Sequence, residues 1–255
     1  MSTGFDRVVL SEWIKLTSVR STWWTLGSLF VLGAGLTVLM CGVNADWLAS
    51  DGADESAGSF ITWGMLIAPV MAVVVGALAV TSEYGTGLIR STFAATPTRG
   101  RVVAAKLIVV AVLMFVVGLV TALAGYLGGN PFLENEGIGL ALEGDVARSM
   151  YGSGLYLAGV AVLTMAIGFI VRHTAGTISI ALALLLVVGN MTMLIPGDLG
   201  PWLTKVMPGN AGSVIATPVS FNPNLMDAWP GFAVFTAEIV ALIAIAWVLV
   251  RRRDA

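Results

Sequence analysis

Hydrophobic positions fall into six long blocks, separated by short segments that hold nearly all of the charge. A hydrocarbon core about 30 Å thick needs ~20 apolar residues per helix. The blocks at about Trp23–Val43, Ile61–Val80, Leu107–Gly128, Tyr151–Val171, Ala175–Ile195 and Gly231–Val250 meet that length, and each predicts a membrane-spanning helix. Pro69 inside the second block predicts a kink. Ten-residue stretches of alternating polarity are absent, which argues against an outer-membrane barrel. The first block is too long for a cleaved signal and is followed by no small-residue cleavage site, so it reads as a retained span.

Ahead of the first span, Phe5, Val9, Trp13 and Leu16 recur at helical spacing, with Asp6, Arg7, Ser11, Glu12, Lys15 and Ser18 between them. That pattern predicts an amphipathic helix over residues 4–22 lying in the headgroup plane, with Trp13, Lys15, Arg20, Trp23 and Trp24 as interfacial anchors. After the fifth block, the apolar runs Pro201–Met207 and Ala211–Ala216 are too short to span and predict short helices dipping into the outer leaflet.

Composition settles the class. Of 255 residues, 57% are hydrophobic and 11% charged, with a mean hydropathy of +0.91, which leaves too little polar surface for a water-soluble particle. A net charge of −2 removes any global basic footprint for nucleic acid. The single cysteine, Cys41, permits no intrachain disulfide, and the single histidine, His173, permits no all-histidine metal centre.

Charge distribution sets the orientation. With both termini in the cytoplasm, Arg7, Lys15, Arg20, Arg90, Arg99, Arg101, Lys106, Arg172 and Arg251–Arg253 lie inside. Only Arg148 and Lys205 of the 13 basic residues then lie outside. That asymmetry is a positive-inside signal for a multi-pass plasma-membrane protein.

The one long cytoplasmic segment, residues 81–106, reads T-S-E-Y-G-T-G-L-I-R-S-T-F-A-A-T-P-T-R-G-R-V-V-A-A-K. Ser82 is placed to cap a helix whose first turn carries Glu83, and Pro97 to end it. The turn Arg172-His173-Thr174 predicts a tight hairpin between spans four and five. Glycines at Gly33, Gly35 and Gly118–Gly125 permit close packing without identifying a dimer face.

Catalytic chemistry finds little support. No G-x-x-x-x-G-K-[ST] run occurs, since Lys15, Lys106 and Lys205 are followed by Leu, Leu and Val. Ser153 and His173 fall at opposite ends of span four, ~30 Å apart, which is too far for a protease dyad. Glu238 in the last span reads either as a cavity or gate carboxylate or as a hydrogen-bonded residue at a helix contact. Asn190 and Thr192 read as glue between helices, and Asn190 is also a candidate cavity or gate residue.

The segments S-E-W-I-K-L-T-S-V-R-S-T-W-W, E-Y-G-T-G-L-I-R…P-T-R-G-R-V-V-A-A-K and M-P-G-N-A-G occur in one order with six spans. In this the chain resembles the membrane subunit of ABC type-2 transporters, particularly compact permeases of actinobacterial exporters. The resemblance implies a single all-α permease domain over residues 1–255, with an N-terminal elbow helix and short re-entrant helices in segment 196–230. It implies a second permease chain, in a homodimer or heterodimer, and two separate ATPase subunits that bind ATP and Mg; this chain itself carries no cofactor and no catalytic residue. It also implies that Glu83, Tyr84, Gly85, Thr86 and Arg90, flanked by Arg99, Arg101 and Lys106, couple to the ATPase. Export of an amphipathic drug, antibiotic, peptide or lipid follows, and a proton- or ion-coupled carrier using Glu238 is the alternative.

Overall fold

Long apolar segments leave the backbone no polar partner but itself, and this chain answers by coiling. A computed structural model describes residues 4–88, 99–220, 222 and 224–252, and these are helical with no strand among them. Helix α1 spans Phe5–Ser18, α2 Arg20–Leu48, α3 Ala57–Phe60, α4 Ala68–Gly85, α5 Arg99–Asn135 and α6 Gly144–Val171. Helix α7 covers Thr174–Leu182 and continues through a π-helical stretch, Ala183–Val188, into the short α8, Gly189–Met191. Two further short helices, α9 (Leu199–Val206) and α10 (Pro208–Ser213), precede α11, Ala228–Arg252. Helices α2, α4, α5, α6, α11 and the Thr174–Leu194 stretch are long and apolar enough to cross a membrane.

Helix α6 is the hub. It packs against α4, α5 and α11, and 72% of its most apolar window is buried, against 22% for α11. Small residues allow the close approach. A Cβ on Gly76 of α4 would stand 2.4 Å from the Ala161 carbonyl oxygen of α6, and one on Gly154 of α6 would stand 2.6 Å from that of Phe115 in α5. Gly76 and Gly154 are therefore spent on contacts within one chain.

Two local expectations are corrected. Pro69 does not kink a span: helix α4 begins at Ala68, which puts Pro69 in the first turn, where its missing N–H costs nothing. The apolar residues before it form α3 and a 3-10 turn, Trp63–Leu66, folded back against the middle of α2. There the Gly64 amide donates to Thr37 Oγ1 at 2.9 Å, and Thr37 Oγ1 donates to the Gly33 carbonyl at 3.2 Å, so the irregular backbone is satisfied by protein. Ser82 does not start a helix either. It lies in the last turn of α4, donating to the Leu78 carbonyl at 2.6 Å, because the span runs on to Gly85 before Gly87, at φ +72°, breaks it. Pro97 lies outside the described residues.

The expected hairpin is present. Helix α6 ends on Arg172 in the left-handed conformation, φ 60°, and His173 Nδ1 accepts from the Gly176 amide at 3.3 Å as the N-cap of α7. The short helices before the last span are present too, as α9, α10 and the 3-10 turn Val214–Ala216. Thr192 meets Thr204 of α9, hydroxyl to hydroxyl, at 2.9 Å.

Candidate functional site

Helix α1 presents Val8 and Glu12 as its buried residues, with Val9 and Leu16 packed beside them against the core. The inward line is therefore Val8, Glu12, Leu16, at successive spacings of four. Glu12, assigned by helical spacing to the polar face, is 4% exposed. A carboxylate this deep requires a cation, and two are supplied. Lys106 Nζ of α5 lies 2.5 Å from Glu12 Oε2, and Lys15 Nζ lies 2.7 Å from Glu12 Oε1.

The same two ammonium groups meet a second carboxylate. Glu83, in the last turn of α4, accepts at Oε1 from Lys106 at 2.8 Å and from Lys15 at 3.1 Å. Two carboxylates and two ammonium groups thus close a four-membered ring of charge that pins together α1, the end of α4 and the start of α5. Glu83 and Lys106 are themselves buried, at 6% and 5% exposed. Glu83 Oε2 is buried and has no hydrogen-bond partner among the described residues. Burial opposes the Lys15 charge, but hydrogen bonding to Glu12 and the charges of Glu83 and Glu12 outweigh it and hold the Lys15 pKa above the usual lysine value.

A cavity of about 310 Å³ adjoins this ring, between the α1–α2 junction and the facing sides of α4 and α5. All four charged residues of the ring, with Ser21 and Thr22 among the hydroxyls, belong to its polar side, and Val75 and Val109 belong to its apolar floor.

The remaining residues of the 81–106 segment are divided. Tyr84 lies under the Arg172 guanidinium, 5.0 Å from ring centroid to Cζ. Gly85, Thr86 and Arg101 are exposed. Arg90 and the Arg99 side chain lie outside the described residues. Glu83 and Lys106 therefore face inward to α1, and of the expected coupling residues only Gly85, Thr86 and Arg101 are exposed among the described ones. Of the anchors on the N-terminal side, Trp13, Arg20, Trp23 and Trp24 are exposed, and Trp23 Nε1 donates back to the Thr17 carbonyl at 2.8 Å.

At the opposite end of the bundle, Arg148 of α6 is a structural residue that charge counting treats as an exception. Its guanidinium donates to the carbonyls of Val214, Ile215, Thr217 and Pro218 at 3.1 to 3.4 Å, and its Nε donates to Asp145 at 3.1 Å. It ties the segment that leads into α11 onto the hub helix. The planar fork of arginine suits several carbonyls at once.

Glu238 and Asn190 do not line the cavity by the charge ring. Glu238 is half-buried, with Oε2 unpartnered among the described residues. Asn190 is exposed and its side-chain amide donates to the Leu186 carbonyl of its own helix at 2.8 Å, so within one chain it glues nothing to a neighbour. Ser153 is buried and donates to the Ser149 carbonyl at 2.7 Å, one turn back in the same helix.

Glu12 and Arg148 are the two residues that sequence reasoning missed. An acid at the centre of an otherwise apolar line, Val8–Glu12–Leu16, was the signal for the first. Being one of only two basic residues on the side that charge asymmetry leaves poor in cations was the signal for the second.

No curated protein matches the chain. The family model described as ABC-2 family transporter protein matches residues 8–190, from α1 into the fifth apolar stretch. With six apolar helices long enough to cross a bilayer, the chain belongs to the ABC-2 transporter family as a multi-pass membrane component.

Proposed function

We propose that this chain is the permease subunit of an ATP-driven exporter, moving an amphipathic substrate outward through a plasma membrane. Both termini lie in the cytoplasm in this reading, α1 lies along the inner interface, and separate ATPase subunits bind ATP and Mg and dock on the exposed part of residues 84–105. A second permease chain completes the pathway.

The observation that carries the reading is the charge ring. Its members Glu83 and Lys106 sit at the two ends of the cytoplasmic segment, and both are clamped to α1. A displacement delivered to that segment is therefore passed at once to the bases of α4, α5 and α1, as a rigid-body movement requires. The family match extends over the same elements.

The test is to purify the tagged chain from its host in mild detergent and assay the eluate for bound ATPase. We expect an ATPase to co-elute, and Thr86→Trp or Arg101→Glu, both at exposed positions, to release it while the permease still elutes as folded protein. A chain that elutes alone under several mild conditions overturns the reading. Transport driven by a proton gradient without ATP, and lost in Glu238→Gln, would instead establish the secondary carrier, for which the unpartnered Glu238 oxygen is the favourable observation.

A further inference from the structure

The cavity beside the charge ring has two chemically distinct sides and a definite size. At about 310 Å³ it lies at the lower end of the roughly 300–1,000 Å³ range of small-ligand sites. Val75, Leu78 and Ala79 of α4, with Val109 and Val110 of α5, make an apolar floor that runs along the spans away from the charges.

The polar side carries features for both signs of charge. Both ammonium groups of the ring line the cavity, and that of Lys15 is the more accessible, its side chain 39% exposed against 6% for Lys106. Next to it begins α2, a 29-residue helix whose first turn has no side-chain cap, and Val19, Ser21 and Thr22 of that start line the cavity. Uncapped amides at the positive end of a long helix, hydroxyls and an ammonium together suit a phosphate. On the same lining, Glu83 keeps one carboxylate oxygen without a partner, on a side chain only 8% exposed. That oxygen needs a donor. It is itself covered, and a donor in the cavity meets it only if the Glu83 carboxylate turns about its terminal torsion, which is soft.

Depth and net charge narrow the ligand. Trp23 and Trp24, 60% and 78% exposed, flank the cavity at the start of α2, and exposed tryptophans mark the headgroup layer. The ring's two carboxylates and two ammonium groups cancel, so the site lacks the excess of Lys and Arg that draws anionic lipids. We propose that this cavity holds the headgroup of a zwitterionic aminophospholipid, phosphatidylethanolamine, with its phosphate at Lys15 and the start of α2, its ammonium at Glu83 and its first acyl carbons over the Val75–Val109 floor. The bound lipid is a structural wedge between α1 and the α4–α5 pair.

The experiment is native mass spectrometry on the full-length chain, stripped of lipid in detergent and titrated with palmitoyl-oleoyl phosphatidylethanolamine, phosphatidylcholine or phosphatidylglycerol. Dodecylammonium serves as the control for a cationic amphipath without phosphate. We expect one tightly held phosphatidylethanolamine. Phosphatidylcholine, whose methylated amine donates no hydrogen bond, binds about tenfold more weakly, the worth of one charge-assisted hydrogen bond. Phosphatidylglycerol and dodecylammonium are weaker as well. Ser82→Phe, which places a ring in the cavity from an exposed position and leaves all four charges in place, abolishes the retained lipid with an unchanged elution profile. Glu83→Gln narrows the gap between the ethanolamine and choline lipids. Equal retention of those two lipids by the unaltered chain overturns the proposal. So does retention undisturbed by Ser82→Phe, and so does dodecylammonium binding as tightly as the phospholipid.

Discussion

Lys106 carries more of this structure than its place before a membrane span announces. It holds Glu12 and Glu83 together from a position 5% exposed, so its removal leaves two buried carboxylates facing one remaining ammonium. We expect Lys106→Ala to cost about 3–5 kcal/mol, the range for breaking a buried pair from one side. Replacing Lys106 and Glu12 together by Met and Leu should cost much less. Thermal unfolding followed by size-exclusion fluorescence in one detergent checks both, and equal losses for the single and double replacements would refute a pairing role. Lys15 adds a pH dependence of known sign. Its pKa is raised in the folded chain, so its contribution is complete below the ordinary lysine value of 10.5 and is lost only as pH rises through the higher folded value. Midpoints should therefore hold steady through mildly alkaline buffers, and a loss beginning near neutrality would contradict the assignment. Arg148 makes a parallel case at the other end of the bundle. Arg148→Ala leaves four carbonyls without their shared donor and should cost about 2–3 kcal/mol, with Arg148→Lys recovering only part.

At the scale of elements, helix positions are set by backbone approach. Gly76→Val would force side-chain carbon into the Ala161 carbonyl, and we expect a loss of about 1–3 kcal/mol and a less compact particle. Gly35→Ala, where an added Cβ meets nothing within 4 Å, is the matched control and should be neutral. Comparison of melting midpoints for the two variants decides the matter. The spans themselves were legible from the apolar blocks, since every buried peptide must find its partner in its own helix. Their ends were not. Helix α5 runs to Asn135 beyond the apolar block, because Asn130 and Tyr126 there bind the Leu140 backbone at 2.8 and 2.6 Å. The second block fails the other way: its first residues gain more by packing on α2, where Thr37 supplies the hydrogen bonds, than by extending α4.

For the whole molecule, the exposed flank of α11 and the fifth stretch contrasts with the buried α6. Orientation can be read directly because Cys41, the single cysteine, is fully buried. Single cysteines placed at Asp51 and Asp198 should react in intact cells with a membrane-impermeant maleimide, and one placed at Thr86 should react only after lysis. The reverse pattern would invert the topology and move the proposed ATPase docking surface to the wrong side. A Gly197 substitution is less suitable as a reporter, since that residue sits at φ +79°.

What the chain alone determined is its class, the existence of six spans, the short helices before the last one and the hairpin at Arg172-His173-Thr174. Those features follow from local length, hydrophobicity and turn chemistry, which need no knowledge of neighbours. Which polar residues face inward was a different matter. Glu12 lies 94 residues from Lys106, and Arg148 lies 66 from the nearest carbonyl it caps, so their roles exist only once α1 meets α5 and the Val214–Pro218 segment meets α6. A buried charge is stable only beside its partner, and only tertiary contact decides where that partner stands.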